Sequence, residues 1–171
     1  MSEAARRADD SGEKGPVYSD LGYILAGAML AKAGGAPLER LVATHITDPL
    51  GISDSLFYPG SLETSARARI VLRAAATERC DWRGRLVRGE VHDENCAAMG
   101  GVAGHAGLFG TSRAVATFGR AMLDTWLGRG SFLPSDLLLG ALTPTPGSTR
   151  RLGWDGKSAM HSSAGRRMST N

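Results

Sequence analysis

From Leu21 to Ile46 the chain carries two apolar stripes at helical spacing, broken only by Gly34-Gly35-Ala36-Pro37. Leu21, Ile24, Leu25 and Ala28 follow the i, i+3, i+4, i+7 pattern of a core-facing helix. Ser19 or Asp20 is a good cap in front of it, and the glycine pair stops it. Pro37 suits the first position of a second helix, whose stripe runs Leu38, Leu41, Val42, His45, Ile46. Asp48-Pro49 ends that helix, because a residue before proline is pushed out of the helical region. The pattern predicts helices over 19–34 and 37–47, packed through Leu21, Ile24, Leu25, Leu38, Leu41 and Val42. His45 is expected at the edge of this core.

The rest of the chain is less regular. Residues 61–75 are rich in Ala and Arg and predict a partial helix, and "WRGRLVRGEV" predicts a short hairpin around Gly84. Gly100 to Gly110 holds five glycines in eleven residues, which predicts a tight loop. Thr111 should cap a further helix whose apolar face is Val115, Phe118, Met122, Leu123 and Trp126. Ala114 stands where a capping box would want an acid, so that start is weakened. Pro134 opens another helix through Leu142, "TPTPGS" reads as a linker and "RRLGW" as a short strand. The fold class predicted is mainly α with a few short strands. Residues 1–15 are charged and small and predict a flexible tail, leaving 16–171 as one domain.

Composition excludes several functions. The net charge is +3, from 20 Lys and Arg against 17 Asp and Glu. The arginines are dispersed, so a solvated arginine face is expected and no nucleic-acid footprint. Cys80 and Cys96 form no C-x-x-C pair and read as two ordinary thiols. The first fifteen residues have no apolar core of a secretory signal. The longest uncharged apolar run, Leu21 to Ala31, is eleven residues, while a membrane span needs about 20.

Chemistry-bearing residues gather in two places. Tyr18-Ser19-Asp20 stands where a loop meets a helix N-terminus, and a tyrosine there can act as a base if cations lower its pKa. His92-Asp93-Glu94-Asn95 and His105 offer nitrogen and oxygen ligands, but their spacing fits no helical metal motif such as H-E-x-x-H. No metal and no cofactor is therefore expected. Asp93 and Glu94 read as the negative charge favoured at a helix start.

Taken together, "YSDLGYILAGAMLAKAGGAPLERLVATHITDPLGISDSLFYP" and "RGEVHDENCAAMGGVAGHAGLFGTSRAVATFGRAML" resemble the β-lactamase and penicillin-binding-protein family of serine hydrolases. The branch most similar is that of class C-like esterases and D-alanyl-D-alanine carboxypeptidases. The resemblance implies an α/β layer beside a helical domain, of which this chain would be the helical middle portion. It implies a serine in S-x-x-K that attacks a carbonyl, a tyrosine that relays the proton, and a K-T-G or H-x-G strand on the oxyanion side. Tyr18 and Asp20 match the tyrosine motif as catalytic candidates. Ser19, His92 and His105 become candidates for the substrate cleft. The substrate implied is a lactam, an ester or a peptidoglycan D-Ala-D-Ala peptide; the compartment is left open by the sequence, the cell envelope or periplasm being compatible with a full-length member.

Two motifs do not map. Ser11-Gly12-Glu13-Lys14 has the S-x-x-K form, but it lies in the charged tail with Lys14 only four residues before Tyr18. It reads as accidental. His105-Ala106-Gly107 has the H-x-G form but belongs to the glycine loop, and the strand motif should follow "SSAGRRMSTN". The chain is thus expected to be an internal fragment, inactive alone and prone to associate through uncovered apolar faces. A carboxylate at position 20, where the family more often has Asn, would oppose a tyrosinate. The alternatives are a non-catalytic helical module that kept the scaffold for binding, or a truncation product without function.

Overall fold

The computed structural model describes residues 19–144, 146 and 150–157. Tyr18, the Ser11–Lys14 stretch, the 1–15 tail and "SSAGRRMSTN" lie outside the described residues. The chain divides into two units, Met1–Thr117 and Phe118–Asn171.

In the first unit, helix α1 spans Leu21–Gly34 and α2 spans Leu38–Val42. Gly35 ends α1 in the left-handed conformation at φ 63° and returns its N–H to the Ala31 carbonyl, the expected glycine cap. The winding then widens into a π-helix over Ala43–Thr47, where the Asp48 N–H reaches back five residues to the Ala43 carbonyl at 2.9 Å. That change of pitch moves the stripe. Thr47 is buried and His45 is exposed, contrary to the expected core-edge histidine.

The two helices do pack, through the predicted Leu38 and Leu41 of α2 but not through Leu21 and Leu25 of α1, which are exposed. The contact runs along the small residues of α1: a Cβ on Gly27 would stand 3.2 Å from the Leu38 Cδ2, and one on Gly34 would stand 2.7 Å from the Leu41 Cδ2. Because α1 is apolar on every face, its own stripe could not tell which side the α2 leucines approach. Glycine decides it by allowing the closest approach. Met29, at 70% exposure, and Leu30 are left on the outer face.

The strands are short. β1 (Leu56–Phe57) pairs antiparallel with β4 (Phe109–Gly110). β2 (Ala76–Cys80) and β3 (Arg85–Arg88) form the predicted hairpin, with Val87 and Cys80 turned inward. Helix α3 (Thr64–Arg73) precedes it, as the Ala/Arg composition predicts. Helix α4 is Glu94–Ala98. The small core consists of Ile52, Leu56, Tyr58, Val87, Cys96 and Ala103, among others. Both cysteines are buried free thiols.

The arginines are not all a solvated face. Arg67 donates to the carbonyls of Pro59 and Gly60, and Arg83 to those of Val91, at 2.9 Å, and His92, at 3.1 Å. A guanidinium fork can bind two adjacent carbonyls at once, so these two residues fasten loops.

Helix α5, Ser112–Trp126, starts on the predicted cap: the Thr111 Oγ1 accepts from the Ala114 N–H at 3.2 Å. Its buried positions are Ala114 and Thr125, while Val115, Leu123 and Trp126 are exposed, so the expected face is rotated. In the second unit, Phe118 meets Phe132 edge-on and stacks on Trp154. These rings draw the Phe118 side of the helix inward. Helix α6 runs from Ser135 to Leu142 as expected. The "RRLGW" stretch is a turn closed by an isolated bridge between Arg150 and Asp155, in place of the expected strand.

Candidate functional site

The glycine loop, residues 100–110, is held from four sides. Its Gly101 N–H bonds the Cys96 carbonyl at 2.8 Å. The Cys96 thiol donates to the Ala106 carbonyl at 3.2 Å, and the Tyr58 hydroxyl to the Ala103 carbonyl at 3.2 Å. Burial, reinforced by the charges of Cys96 and Glu39, pushes the Tyr58 phenol above its ordinary value. It therefore stays protonated and serves as a donor.

The fourth attachment sets the site. At Gly104 a Cβ would stand 2.1 Å from the Tyr23 carbonyl oxygen, and a Cβ on Gly27 would stand 2.9 Å from the Gly104 nitrogen. Only a pair of glycines lets the loop backbone lie on the first turns of α1. That contact carries His105 to the N-terminal end of the helix.

There, one ligand atom each from Asp20, Asp93 and His105 lies within 4.8 Å of the others. The His105 Nε2 is 2.8 Å from the Asp93 Oδ1, and the ring is only 3% exposed. Asp93 also caps α4, accepting from the Cys96 N–H at 2.7 Å. One carboxylate thus orients both a helix and a histidine. The Cys96 amide, then the hydrogen bond and charge of His105, hold the Asp93 carboxyl below its ordinary value against the opposing effect of burial. Burial and the Asp93 charge push the Cys96 thiol up.

The candidates from sequence separate clearly. Asp20 and His105 come together. Ser19 is exposed, and its Oγ accepts from the Leu21 N–H at 3.3 Å, so it caps α1 and leaves the Asp20 carboxylate free. His92 has an exposed side chain outside the cluster, and its carbonyl is held by Arg83. Asp93 was legible only as a helix-start charge. Its second role, twelve residues away at His105, leaves no periodic trace in the sequence.

Two carboxylates and an imidazole could in principle take a divalent cation. Here the histidine nitrogen nearest Asp93 is already engaged, and the buried His105 Nδ1 has no hydrogen-bond partner. A metal-bound histidine normally donates its second nitrogen to an acceptor. The cluster fits a hydrogen-bonded strut between the glycine loop and the start of α4, with Asp20 beside it, better than a metal centre.

A family model described as Beta-lactamase matches residues 4–165. The chain belongs to the beta-lactamase family. It is 34% identical over 128 residues to the N-acetylmuramyl-L-alanine amidase of Bacillus subtilis strain 168, covering 68% of this chain and 27% of that protein. A candidate D-alanyl-D-alanine carboxypeptidase of Escherichia coli K12 is 33% identical over 115 residues, covering 63% of this chain and 26% of that protein. The counterpart from Escherichia coli O157:H7 is 31% identical over 121 residues, at 63% and 26%. The chain thus spans about a quarter of the length of these relatives. No solved structure matches it. Among the described residues no single helix is long and apolar enough to cross a membrane.

The strut predicts an acid limb in stability. Asp93 has an ordinary value of about 4 when unfolded, and its folded value is depressed. A depressed carboxyl contributes stability above the unfolded value and loses it as pH falls through the folded one. Melting temperature should therefore drop as the solution is acidified below about pH 4. Asp93→Asn, which can still accept from the Cys96 amide, should flatten part of that drop. Identical acid limbs for the two proteins would rule out this contribution.

Proposed function

We propose that this chain forms the tyrosine-bearing wall of a serine hydrolase that opens a carbonyl of a peptidoglycan peptide through an acyl-serine intermediate. The observation that carries the reading is the juxtaposition of Asp20 with the Asp93–His105 strut, within a chain matched by the family model over 4–165. The names of the relatives, an N-acetylmuramyl-L-alanine amidase and candidate D-alanyl-D-alanine carboxypeptidases, support a muramyl- or D-alanyl-peptide substrate over a simple ester.

In that reaction a serine Oγ adds to the carbonyl, and its proton passes to a base. The leaving amine takes a proton as the C–N bond breaks. Water then releases the acid and regenerates the serine. Tyr18, two residues before Asp20, relays the proton. The chain's own folded part orients the relay: Ser19 caps α1, and the glycine loop with His105 closes on its N-terminal turns. Catalysis also needs a positioned serine with its lysine, and an oxyanion site.

The chain by itself is expected to turn over neither nitrocefin nor p-nitrophenyl esters above background. A fluorophosphonate or penicillin probe should leave it unlabelled. Stoichiometric labelling of Ser11 would show that the Ser11–Lys14 stretch is a working nucleophile motif and would overturn the assignment of this chain as a wall without a nucleophile.

A further inference from the structure

We propose that protonation of His105 closes a clasp, in which the imidazolium bridges the Asp20 and Asp93 carboxylates and ties the start of α1 to the start of α4 through the glycine loop. The site is then pH-sensitive across the range in which histidine titrates. Only the consequence for catalysis rests on the acyl-serine reading above.

The clasp is half built. An ionised Asp93 can only accept, so the His105 Nε2 that faces it at 2.8 Å carries a proton. In the neutral ring Nδ1 is then a lone-pair acceptor. It is buried, on a side chain only 3% exposed, and has no hydrogen-bond partner among the described residues. A buried polar atom left unpaired costs stability. One oxygen of Asp20 lies within 4.8 Å of a ring nitrogen of His105 and of an Asp93 oxygen. The Asp20 side chain makes no cap bond, because the Ser19 Oγ accepts from the Leu21 N–H in its place. An acceptor beside an acceptor forms no bond. One proton on Nδ1 turns the pair into donor and acceptor and puts a positive charge between two carboxylates. Such charge-assisted hydrogen bonds are shorter and stronger than neutral ones. Rotation about the Asp20 side-chain bonds closes the remaining distance.

The other ionisable groups of the surrounding elements do not supply this charge change. On α1 they are Tyr23, which is exposed, and Lys32, in the last turn. On α4 they are Glu94, which is exposed, and the Cys96 thiol, which burial and the Asp93 charge push up and so keep protonated. His92 is exposed. The Tyr58 phenol stays protonated, with the Glu39 charge of α2 helping to raise it. An imidazole changes charge between about pH 5 and 8, and the 26% exposure of the Asp93 side chain leaves the pair in contact with solvent protons. For the proposed reaction, Asp20 stands two residues after Tyr18, and its carboxylate opposes a tyrosinate. In the closed clasp the imidazolium offsets that charge.

The test uses the full chain with 15N-labelled histidine, the His105 ring signals being assigned by their loss in His105→Gln. At about pH 8 only Nε2 should carry a proton, and at about pH 5.5 both ring nitrogens should. The Nδ1 proton should then be protected from solvent exchange and show a nuclear Overhauser contact to the Asp20 β-protons. Asp20→Ala should abolish both the protection and the contact. A group that gains a partner on protonation contributes stability on the acid side and loses it as pH rises. Moving from about pH 8 to about pH 5.5 should therefore raise the melting temperature of the wild type over that of Asp20→Ala by at least about 3 °C. Both conditions lie above the acid limb of Asp93. Asp20→Asn accepts without charge, so it should keep the Nδ1 contact with a smaller gain on acidification, and it replaces Asp20→Ala if that variant does not fold. An Nδ1 without a proton at about pH 5.5, a proton equally protected in Asp20→Ala, or a melting difference that ignores pH would each overturn the clasp. None of these readouts needs turnover, so failure of the clasp and failure of the acyl-serine reading are separate results.

Discussion

Gly104→Ala should be among the most damaging single changes in the chain, despite adding one methyl group. Its Cβ would stand 2.1 Å from the Tyr23 carbonyl oxygen and cannot be accommodated by a rotamer change, because the obstacle is helix backbone. Overpacking of this kind costs about 1–3 kcal/mol, and a backbone obstacle puts it near the upper end. For a chain of this size the melting temperature should fall by roughly 6–12 °C. The loop would lift from α1 and separate His105 from Asp20. Gly119→Ala is the control: a Cβ there meets nothing, and the change should stabilise α5 by about 0.5–1 kcal/mol. If Gly104→Ala melted with the wild type, the loop would not lie on the helix.

The second large effect concerns Tyr18. In an active protein that contains this chain, Tyr18→Phe should lower kcat by about 10²–10⁴, the usual worth of general acid–base catalysis. The ring is kept and only the proton relay is removed, so the fold should be unchanged. Asp20→Asn removes a carboxylate that opposes a tyrosinate, and should therefore be mild or favourable. Wild-type kcat in Tyr18→Phe would reduce the tyrosine to a residue that packs ahead of α1.

The positions of the helices could be read from the sequence because their signals are local. Ser19, the glycine pair, Pro37, Thr111 and Pro134 mark the boundaries, and the structure follows them to within a residue or two. Their faces were harder to read. An all-apolar α1 and an α5 rich in large side chains offer several burial directions, and the choice falls to distant partners: the α2 leucines for one, Phe132 and Trp154 for the other. The π-turn at Ala43–Thr47, which exposes His45, has no sequence mark either.

The site shows the same division. The start of α1 and the glycine loop could be recognised by their residues, and so could the family, which the model match over 4–165 bears out. What joins them could not. Asp93 looks like an ordinary helix cap, and it is one. Its bond to His105 arises only when the loop folds back, and that depends on two glycines, Gly27 and Gly104, far apart in the chain. Arg67 and Arg83 read as surface charge because a carbonyl partner leaves no signature in sequence.

The proposed hydrolase wall requires the glycine loop to close on α1, and nuclear Overhauser contacts test that closure most directly. With the wild-type chain in solution, the Gly104 amide should show strong cross-peaks to the Gly27 α-protons, and the His105 ring protons should show contacts to Asp93. If Gly104 and His105 lack these contacts while the α1 and α2 signals remain those of folded helices, the loop is open, and the assembly of Asp20, Asp93 and His105 is contradicted.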